Sequence, residues 1–325
     1  MRSAIEVEDL VRDYGKTRAV DHVSFTVGSG EVFGFLGPNG AGKTTTIRML
    51  TGLTRPDEGG GTVAGFDLTR EMPRIKKAIG VVPEASNLYD ELSALDNLVF
   101  AGQLYGVPRA ERKPRAEELL RQFGLDERRR SPFGSFSKGM KRALTIAAAL
   151  IHRPRIVFLD EPTSGLDVLA ARRLRATIRS LRESGVTVFL TTHYLEEADL
   201  LCDHLAIIVK GRIVARGSPE ELKAMANGEP ALEVSFDRAP VEVPAEGSLP
   251  SGVARIERLG DRLRLHGSDL GALTRLALDW AEAGGVKVTG LGTAQPSLEE
   301  AFVRLTGLAR ETMLAEKGER KSAGG

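Results

Sequence analysis

The sequence predicts an α/β fold with a mixed, mainly parallel sheet, followed by a small α+β domain. Continuous apolar runs at 32–36, 156–159 and 186–190 alternate with stretches of helical periodicity. Such runs are typical of strands covered on both faces, and their alternation with helices favours a parallel sheet. The composition then changes after Met225, where Pro240, Pro244 and Pro250 mark a linker and loops. The sequence therefore predicts two domains, over 1–224 and 225–325.

The first domain is predicted to open with half-buried strands around Ile5 and over 23–27. A helix is expected over 43–53, and residues 87–150 are expected to form a mostly helical subdomain. In the second domain we predict strands near 231–236, 253–259, 262–266 and 286–291, with helices over 269–283 and 297–306. Ser297 and Glu300 have the spacing of a capping box at the start of the last helix. Residues 316–325 are expected to be a frayed tail.

Composition and charge exclude several classes of protein. With 325 residues, 42% hydrophobic and 27% charged, the chain is long and apolar enough to fold around a sizeable core. Its net charge of +1 gives no basic excess, so we expect no nucleic-acid partner. The single cysteine, Cys202, excludes an intramolecular disulfide and is typical of a reducing compartment. The acidic N-terminus and the lack of an apolar run of about 20 residues predict neither a signal peptide nor a membrane span.

A complete phosphate-loop pattern lies between a predicted strand and a predicted helix. It consists of Gly37, Pro38, Asn39, Gly40, Ala41, Gly42, Lys43 and Thr44, and Thr45 follows. Backbone N–H groups of such a loop converge on phosphate oxygens at a helix N-terminus. Lys43 is expected to neutralise the outer phosphates and Thr44 to offer a hydroxyl to Mg²⁺. A glycine-rich turn without a ligand is the plainer interpretation, and the strand and helix on either side favour the phosphate site.

Two adjacent acids end the strand predicted over 156–159. Because ligands of α/β sheets bind beyond the carboxyl ends of the strands, Asp160 and Glu161 should point into that crevice. Asp160 is then placed to hold Mg²⁺, and Glu161 to accept a proton from an attacking water. The alternative, that they only cap the following turn, explains either acid alone but not their pairing with a phosphate loop.

Two further segments carry candidate residues. Ser137 and Gly139 open an alanine-rich helix, where Ser137 fits an N-cap, and the N-cap alone is a sufficient explanation of that pattern. His193 stands at the end of the strand predicted over 186–192. A lone histidine there is more often structural, but on the sheet that carries the phosphate loop it could reach a terminal phosphate and distinguish ATP from ADP.

These four elements, in this order and spacing, resemble the nucleotide-binding subunit of ABC transporters over residues 3 to about 224. The resemblance implies that Ser137 and Gly139 contact ATP held by the phosphate loop of a second copy, so two chains would sandwich two ATP molecules. It also implies that residues 164–167 are the D-loop crossing that interface. Tyr14 lies where the family has an aromatic residue against adenine, although an exposed strand tyrosine is an equal interpretation.

Two positions differ from the usual family pattern. The signature reads Phe-Ser-Lys-Gly-Met over 136–140, a variant that resembles the branch exporting drugs, antibiotics and similar compounds. Glu84 stands where the family has a glutamine, and it could approach Mg²⁺ or the lytic water while adding a charge.

The resemblance also implies partners. Residues 88–105 correspond to the surface that receives a separate, membrane-embedded permease, which would place the chain in the cytoplasm on the inner face of the cell membrane. Residues 296–302 resemble part of the small accessory domain of the same exporter branch. An ABC ATPase serving a ribosome or a DNA repair complex is a second hypothesis, but such proteins usually carry two cassettes or a long coiled coil. A phosphotransferase is a third, and it leaves the signature and D-loop without a role.

Overall fold

The computed structural model describes residues 3–226, 231–238, 252–294 and 297–308. They form two compact units, one ending at Pro219 and the other covering Glu220–Leu308. The division lies five residues before the boundary predicted at 224/225. The predicted loop prolines, Pro296 before the last helix, and the predicted frayed tail lie outside the described residues.

The first unit contains two sheets and a group of helices. Its strands are β1 (Ser3–Tyr14), β2 (Thr17–Gly28), β3 (Val32–Leu36), β4 (Glu58–Val63), β5 (Phe66–Asp67), β6 (Ile79–Val82), β7 (Ile156–Asp160), β8 (Thr187–Thr192), β9 (His204–Val209) and β10 (Arg212–Gly217). Its helices are α1 (Lys43–Leu50), α2 (Met72–Ala78), α3 (Ala94–Leu104), α4 (Arg109–Gln122), α5 (Lys138–Ala149), α6 (Val168–Glu183) and α7 (Leu195–Leu201), and α8 (Pro219–Met225) begins at its last residue.

The larger sheet confirms the predicted α/β class. Its strand order is β10-β9-β3-β8-β7-β6, in which β10 pairs antiparallel with β9 and the other neighbours are parallel. The second sheet, β2-β1-β4-β5, is antiparallel. Because β3, β7 and β8 are parallel neighbours, their carboxyl ends meet at one edge of the larger sheet.

Phenylalanines fill the core beside the larger sheet. Phe189 on β8 lies with its ring centroid 5.4–5.8 Å from those of four other rings, Phe25, Phe33, Phe35 and Phe158. Every residue of β3, β7 and β8 is buried, which explains why these strands lack polar–apolar alternation. The core therefore lies directly behind the sheet edge where the phosphate loop begins.

We expect Phe189→Ala to lower the free energy of unfolding by about 3–5 kcal/mol, because it removes a fully buried ring and leaves a cavity among aromatic neighbours. The change in the free energy of unfolding is measured by chemical denaturation, followed through a signal from the first unit. Phe100→Ala is the comparison, since that ring is only half-buried against Tyr89. Equal losses in the two variants would contradict the central role of the Phe189 cluster.

The prediction leaves out β4, which the structure places beside β1. Its sequence, Glu-Gly-Gly-Gly-Thr-Val, has few side chains that favour strands. Gly61 has φ 150° and lies so close to β1 that a Cβ atom would be 2.1 Å from the carbonyl oxygen of Glu6. The glycine run thus permits close pairing of two strands instead of marking a loop.

Helix α1 ends three residues before the predicted limit at 53. Gly52 adopts a left-handed backbone with φ 71°, and its N–H donates to the Met49 carbonyl at 3.1 Å. The N–H of Leu53 donates to the Arg48 carbonyl at 2.8 Å. This pair of hydrogen bonds is the Schellman motif, which terminates a helix at a glycine.

The helical segment predicted over 87–150 contains α3, α4 and α5, with short 3₁₀ turns between α4 and α5. Ser93 caps α3 and Ser137 caps α5, each accepting a hydrogen bond from the N–H three residues later. Among the described residues, no helix has both the length and the apolar character needed to cross a membrane.

The second unit has an α+β composition, as predicted. Its strands β11 (Ala231–Phe236), β12 (Arg255–Leu259), β13 (Arg262–His266) and β14 (Val288–Ala294) form an antiparallel sheet in the order β12-β13-β11-β14. Helix α9 (Leu270–Ala283) packs its apolar residues on that sheet, and α10 (Leu298–Thr306) ends the described chain. The capping box of Ser297 and Glu300 is present at the start of α10.

Candidate active site

The phosphate-loop segment spans the gap between β3 and α1. Gly42 precedes the helix with φ 108°, and a Cβ atom there would lie 2.5 Å from the Ala19 carbonyl oxygen. A glycine is therefore required at this position. Because the loop leads directly into α1, backbone N–H groups of the first turn face the space beyond β3, where an anion is favoured.

A cleft of about 790 Å³ opens at this edge of the sheet, within the usual range of small-molecule sites. It brings together residues from the phosphate loop, α1 and four other segments. Its lining is Ala19, Pro38, Asn39, Gly40, Ala41, Gly42, Lys43, Thr44, Thr45, Arg48, Glu84, Glu161, Ser164, His193 and Tyr194.

Lys43 is buried at the base of the cleft, with 5% of its surface exposed. Its Nζ donates to the carbonyl oxygen of Gly37 at 2.6 Å and lies 3.1 Å from Oε1 of Glu161. The phosphate-loop lysine and the predicted base therefore form an ion pair.

Asp160 lies at the end of β7 and is held by two hydroxyl groups. Thr191 donates from Oγ1 to Oδ1 of Asp160 at 2.6 Å, and Thr44 Oγ1 lies 3.3 Å from the same oxygen. Hydroxyl and carboxylate oxygens are the ligands that Mg²⁺ accepts in proteins. The donor set beside the phosphate loop is thus suited to a hard divalent cation.

Glu161 adopts a left-handed backbone with φ 46°, which is uncommon for a residue other than glycine. Its N–H donates to Oγ1 of Thr191 at 3.0 Å, so the hydroxyl that holds Asp160 also fixes Glu161. Strained backbone of this kind is concentrated at functional sites, where surrounding contacts hold it.

The electrostatic surroundings keep Glu161 ionised. Burial raises the pKa of its carboxyl group, but the hydrogen bond with His193 and the charge of Lys43 outweigh burial, so the pKa lies below its ordinary value. Nδ1 of His193 lies 2.8 Å from Oε2 of Glu161. Since a carboxylate only accepts hydrogen bonds, Nδ1 carries the hydrogen in this pair.

Arg142 belongs to the site but was not among the predicted residues. It is buried on α5, and all its hydrogen bonds in the structure go to main-chain carbonyl oxygens: Nη2 to Asp160 at 2.7 Å, Nε to Pro162 at 3.0 Å, and Nη1 to Pro83 and Glu84. Burial lowers its pKa to about 10, against the opposing effect of nearby carboxylates such as Asp160. Arg142 thus remains a cation and connects α5 to the strand end that carries both acids.

Five predicted residues are not in the lining of this cleft. Gly37 and Asp160 border it through their hydrogen bonds with Lys43 and Thr44, whereas the other three lie elsewhere. Ser137 caps α5, and Gly139 packs so closely on α6 that an added Cβ atom would lie 2.8 Å from that of Ala170. Tyr14 is 44% exposed and is not part of the cleft lining. The guanidinium carbon of Arg12 lies over its ring, 4.9 Å from the ring centroid.

Arg48, Ser164 and Tyr194 also line the cleft. Ser164 belongs to the D-loop that the resemblance implies, whereas only closeness in sequence to predicted residues could have indicated Arg48 and Tyr194.

The second unit brings Glu257, His266 and Glu300 within 4.8 Å of one another. Arg264 lies 3.7 Å from a carboxylate oxygen of each glutamate, and Arg255 also pairs with both. The carboxylates thus already face arginine cations, which is typical of an ion-pair network and disfavours a metal ion.

A phosphate loop, two acids at the end of one strand and a histidine directly after the adjacent strand lie around one cleft. Together they define a nucleoside triphosphatase of the phosphate-loop class. The family described as "ABC transporter" matches residues 20–164. The linearmycin resistance ATP-binding protein LnrL of Bacillus subtilis is 36% identical over 305 residues, covering 93% of this chain and 98% of the relative. The daunorubicin/doxorubicin resistance ATP-binding protein DrrA of Streptomyces peucetius is 39% identical, covering 94% and 92%.

Solved structures agree with this assignment. An ATP-binding subunit of an ABC transporter matches 69% of this chain and 93% of its own length, with a TM-score of 0.63 and 34% identity. The chain belongs to the ABC transporter family of ATP-binding subunits. It binds and hydrolyses ATP, and subunits of this kind work with separate permease components. The relatives are resistance and export subunits, so the comparisons support the transporter prediction over the soluble-machine alternative.

Proposed function

We propose that this chain drives an exporter of drugs, antibiotics or related compounds, as a homodimer bound to a membrane permease at the cytoplasmic face of the membrane. The observation that carries the proposal is alignment over nearly full length with subunits named for resistance or export. These include LnrL and DrrA, and the Nod factor export ATP-binding protein I of Ralstonia nicotianae, which is 38% identical over 93% of this chain.

In this proposal the phosphate loop, residues 37–45, holds the triphosphate of ATP, with Lys43 on the outer phosphates. A bound triphosphate competes with Glu161 for Lys43, since Nζ lies only 3.1 Å from the carboxylate. Loss of that ion pair removes one of the interactions that lower the pKa of Glu161. Glu161 thereby becomes a stronger base when substrate is bound, and it accepts the proton of the attacking water.

His193 orients Glu161 and contacts the terminal phosphate. With Nδ1 donating to Glu161, a second hydrogen bond from Nε2 to a phosphate oxygen requires the protonated imidazole. A histidine in that state recognises the additional negative charge of ATP relative to ADP.

Mg²⁺ would be held by Thr44, Asp160 and Glu84, whose oxygen atoms fit a hard cation. Bound there, the ion would neutralise charge on the phosphates. The contribution of the chain is to orient Asp160 through Thr191, whose hydroxyl group lies 2.6 Å from it.

The placement of Ser137 and Gly139 supports the proposed homodimer. Neither residue lines the cleft of its own chain, so contact between the signature and ATP requires a second copy. In each chain both residues lie beside Asp167, at the end of the proposed D-loop. The two residues after it, Val168 and Leu169, are 83% and 66% exposed, which is consistent with an interface on this side.

We also propose domain roles for the segments outside the cleft. Residues 88–105 of the helical subdomain would receive the permease, and residues 225–325 would form an accessory domain that steadies or regulates the dimer.

Glu84→Gln should raise the Mg²⁺ concentration needed for half-maximal ATP hydrolysis, by about tenfold, because an amide is a weaker ligand than a carboxylate for this ion. The measurement is a magnesium titration of the ATPase rate at saturating ATP. Glu91→Gln, an exposed neighbour outside the cleft, should leave the titration unchanged. An unchanged titration for Glu84→Gln would remove Glu84 from the metal site.

The export assignment is tested by affinity purification of tagged Glu161→Gln protein from detergent-solubilised source membranes with ATP and Mg²⁺. We expect co-purification of a multi-span membrane protein, whose identity also names the subunit that selects the cargo. Recovery of only ribosomal or DNA-associated proteins would overturn the proposal.

A further inference from the structure

The sheet of the second unit has an edge that is open to a further strand. In the order β12-β13-β11-β14, the strand β14 lies at one end and pairs only with β11 among the strands that the structure describes. Thr289, Leu291 and Thr293 of β14 are all exposed. Because an edge strand offers a row of main-chain N–H and C=O groups to any further strand, proteins usually protect such edges.

The opposite edge of the same sheet is protected by charge. β12 carries Arg255, Glu257 and Arg258 among its five residues. Arg255 pairs with Glu257 and also lies 3.8 Å from a carboxylate oxygen of Glu300. β14 differs, because its seven residues, Val-Thr-Gly-Leu-Gly-Thr-Ala, include neither a charge nor a proline. Of the two edges, β14 is therefore the one suited to pairing.

The sequence of β14 is symmetric about Leu291. Residues 289–293 read Thr-Gly-Leu-Gly-Thr in both directions. In an antiparallel pair of identical strands related by a two-fold axis, a residue before the axis lies opposite the residue at the same distance after it. With the axis at Leu291, threonine lies opposite threonine, glycine opposite glycine and leucine opposite leucine. Cross-strand threonine pairs are among those that stabilise antiparallel sheets.

Leu291 lies at the rim of an apolar core. It is directly opposite Val234 on β11, so both side chains are on the same face of the sheet. Val234 is fully buried in a cluster with Leu273 and Ala277 of α9, whereas Leu291 is 46% exposed. A leucine from a further strand would cover the exposed part of Leu291 and extend this core.

We propose that β14 is an interaction surface for a second copy of this chain, and that two β14 strands pair antiparallel about a two-fold axis at Leu291. The pairing joins two four-stranded sheets into one continuous sheet. A partner selected by charge finds no counter-charge on β14, whereas an identical strand meets its own symmetric pattern. The inference rests on the proposed homodimer for the presence of a second copy. Since it uses neither the phosphate loop nor the signature, this contact persists without nucleotide.

The association of the full chain without nucleotide tests the inference. Analytical ultracentrifugation over a range of protein concentrations should show that the wild type dimerises. Leu291→Lys should raise the dissociation constant of the dimer by about tenfold or more, because it places two like charges opposite each other. Leu259→Lys is the matched control and should leave the constant unchanged, since Leu259 has the same 46% exposure on the other edge strand.

Disulfide formation tests the register of the pair. In Leu291→Cys, the Cα atoms of the two introduced cysteines would lie about 4.5–5.5 Å apart, within the range of a disulfide. Cys202, the one cysteine of the native sequence, is buried and should not react. Under mild oxidation we expect a disulfide-linked dimer of Leu291→Cys and none of Leu259→Cys.

Three results would overturn the inference: a wild-type chain that stays monomeric without nucleotide, a dimer as tight in Leu291→Lys as in Leu259→Lys, or equal cross-linking of the two cysteine variants. If Leu291→Lys does not fold, the small and uncharged Leu291→Cys decides.

The proposed ATP-bound dimer is tested separately. A chain with both Glu161→Gln and Leu291→Lys should still dimerise when ATP is added, since its phosphate loop and signature are intact. Loss of the ATP-dependent dimer with retention of the nucleotide-free dimer would contradict the proposed ATP sandwich and support the pairing of β14. The reverse result would contradict the pairing alone.

Discussion

Glu161→Gln should bind ATP as tightly as wild type and hydrolyse it at least about 10²-fold more slowly, because the amide cannot accept the proton of the attacking water. The substitution preserves shape, so Asp160, Thr191 and the strained backbone at φ 46° should be undisturbed. It also removes the negative charge that pairs with Lys43 at 3.1 Å, which leaves that lysine more available to phosphate.

Single-turnover hydrolysis and equilibrium nucleotide binding, measured on the same preparation, check this expectation. Glu183→Gln, at the exposed end of α6, is the matched control and should match wild type in both assays. Full turnover by Glu161→Gln would exclude Glu161 as the base. A parallel loss of binding and turnover would instead indicate a structural role.

Lys43→Ala should weaken ATP binding by about 10–100-fold, since a hydrogen bond to a charged group contributes about 1.5–3 kcal/mol. The same change leaves the buried Glu161 without its cation, which should raise the pKa of that carboxyl group. The side chain is 5% exposed, so its removal also leaves a small void below the phosphate loop.

Titration calorimetry with ATP measures the affinity, and thermal unfolding shows whether the chain still folds. Lys76→Ala, at an exposed position on α2, should leave both quantities unchanged. Unaltered affinity in a folded Lys43→Ala protein would contradict the assignment of Lys43 to the phosphates.

The sequence predicts the parallel core well because burial on both faces produces uninterrupted apolar runs. β3, β7 and β8 are of this kind. Glu161 and His193 could be predicted as site residues because each directly follows one of those strands. The antiparallel strand β4 is missed because three consecutive glycines have no side-chain pattern, although Gly61 is required by its closeness to Glu6. β9 and β10 are also absent from the prediction, even though β9 contains the apolar run 205–208.

Residues that act through main-chain contacts are harder to recognise from sequence. Arg142 follows the signature in the chain and resembles one more basic residue at a helix start; only the fold shows its four carbonyl partners. Glu197 follows an equally acidic neighbour, Glu196, and the burial of one and exposure of the other depend on how α7 packs. A helix of seven residues is too short for hydrophobic periodicity to distinguish the buried glutamate from the exposed one.

The contacts of Arg142 also bear on how the site can change during evolution. Because its partners are peptide oxygens, the guanidinium group anchors the segments at Pro83, Glu84, Asp160 and Pro162 whatever side chains they carry. A replacement of glutamine by glutamate at position 84 therefore leaves the anchoring intact and alters only the group presented to the cleft. The main-chain contacts and the side chain at position 84 can therefore change independently, and a substitution there alters the group offered to the cleft without disturbing the loop.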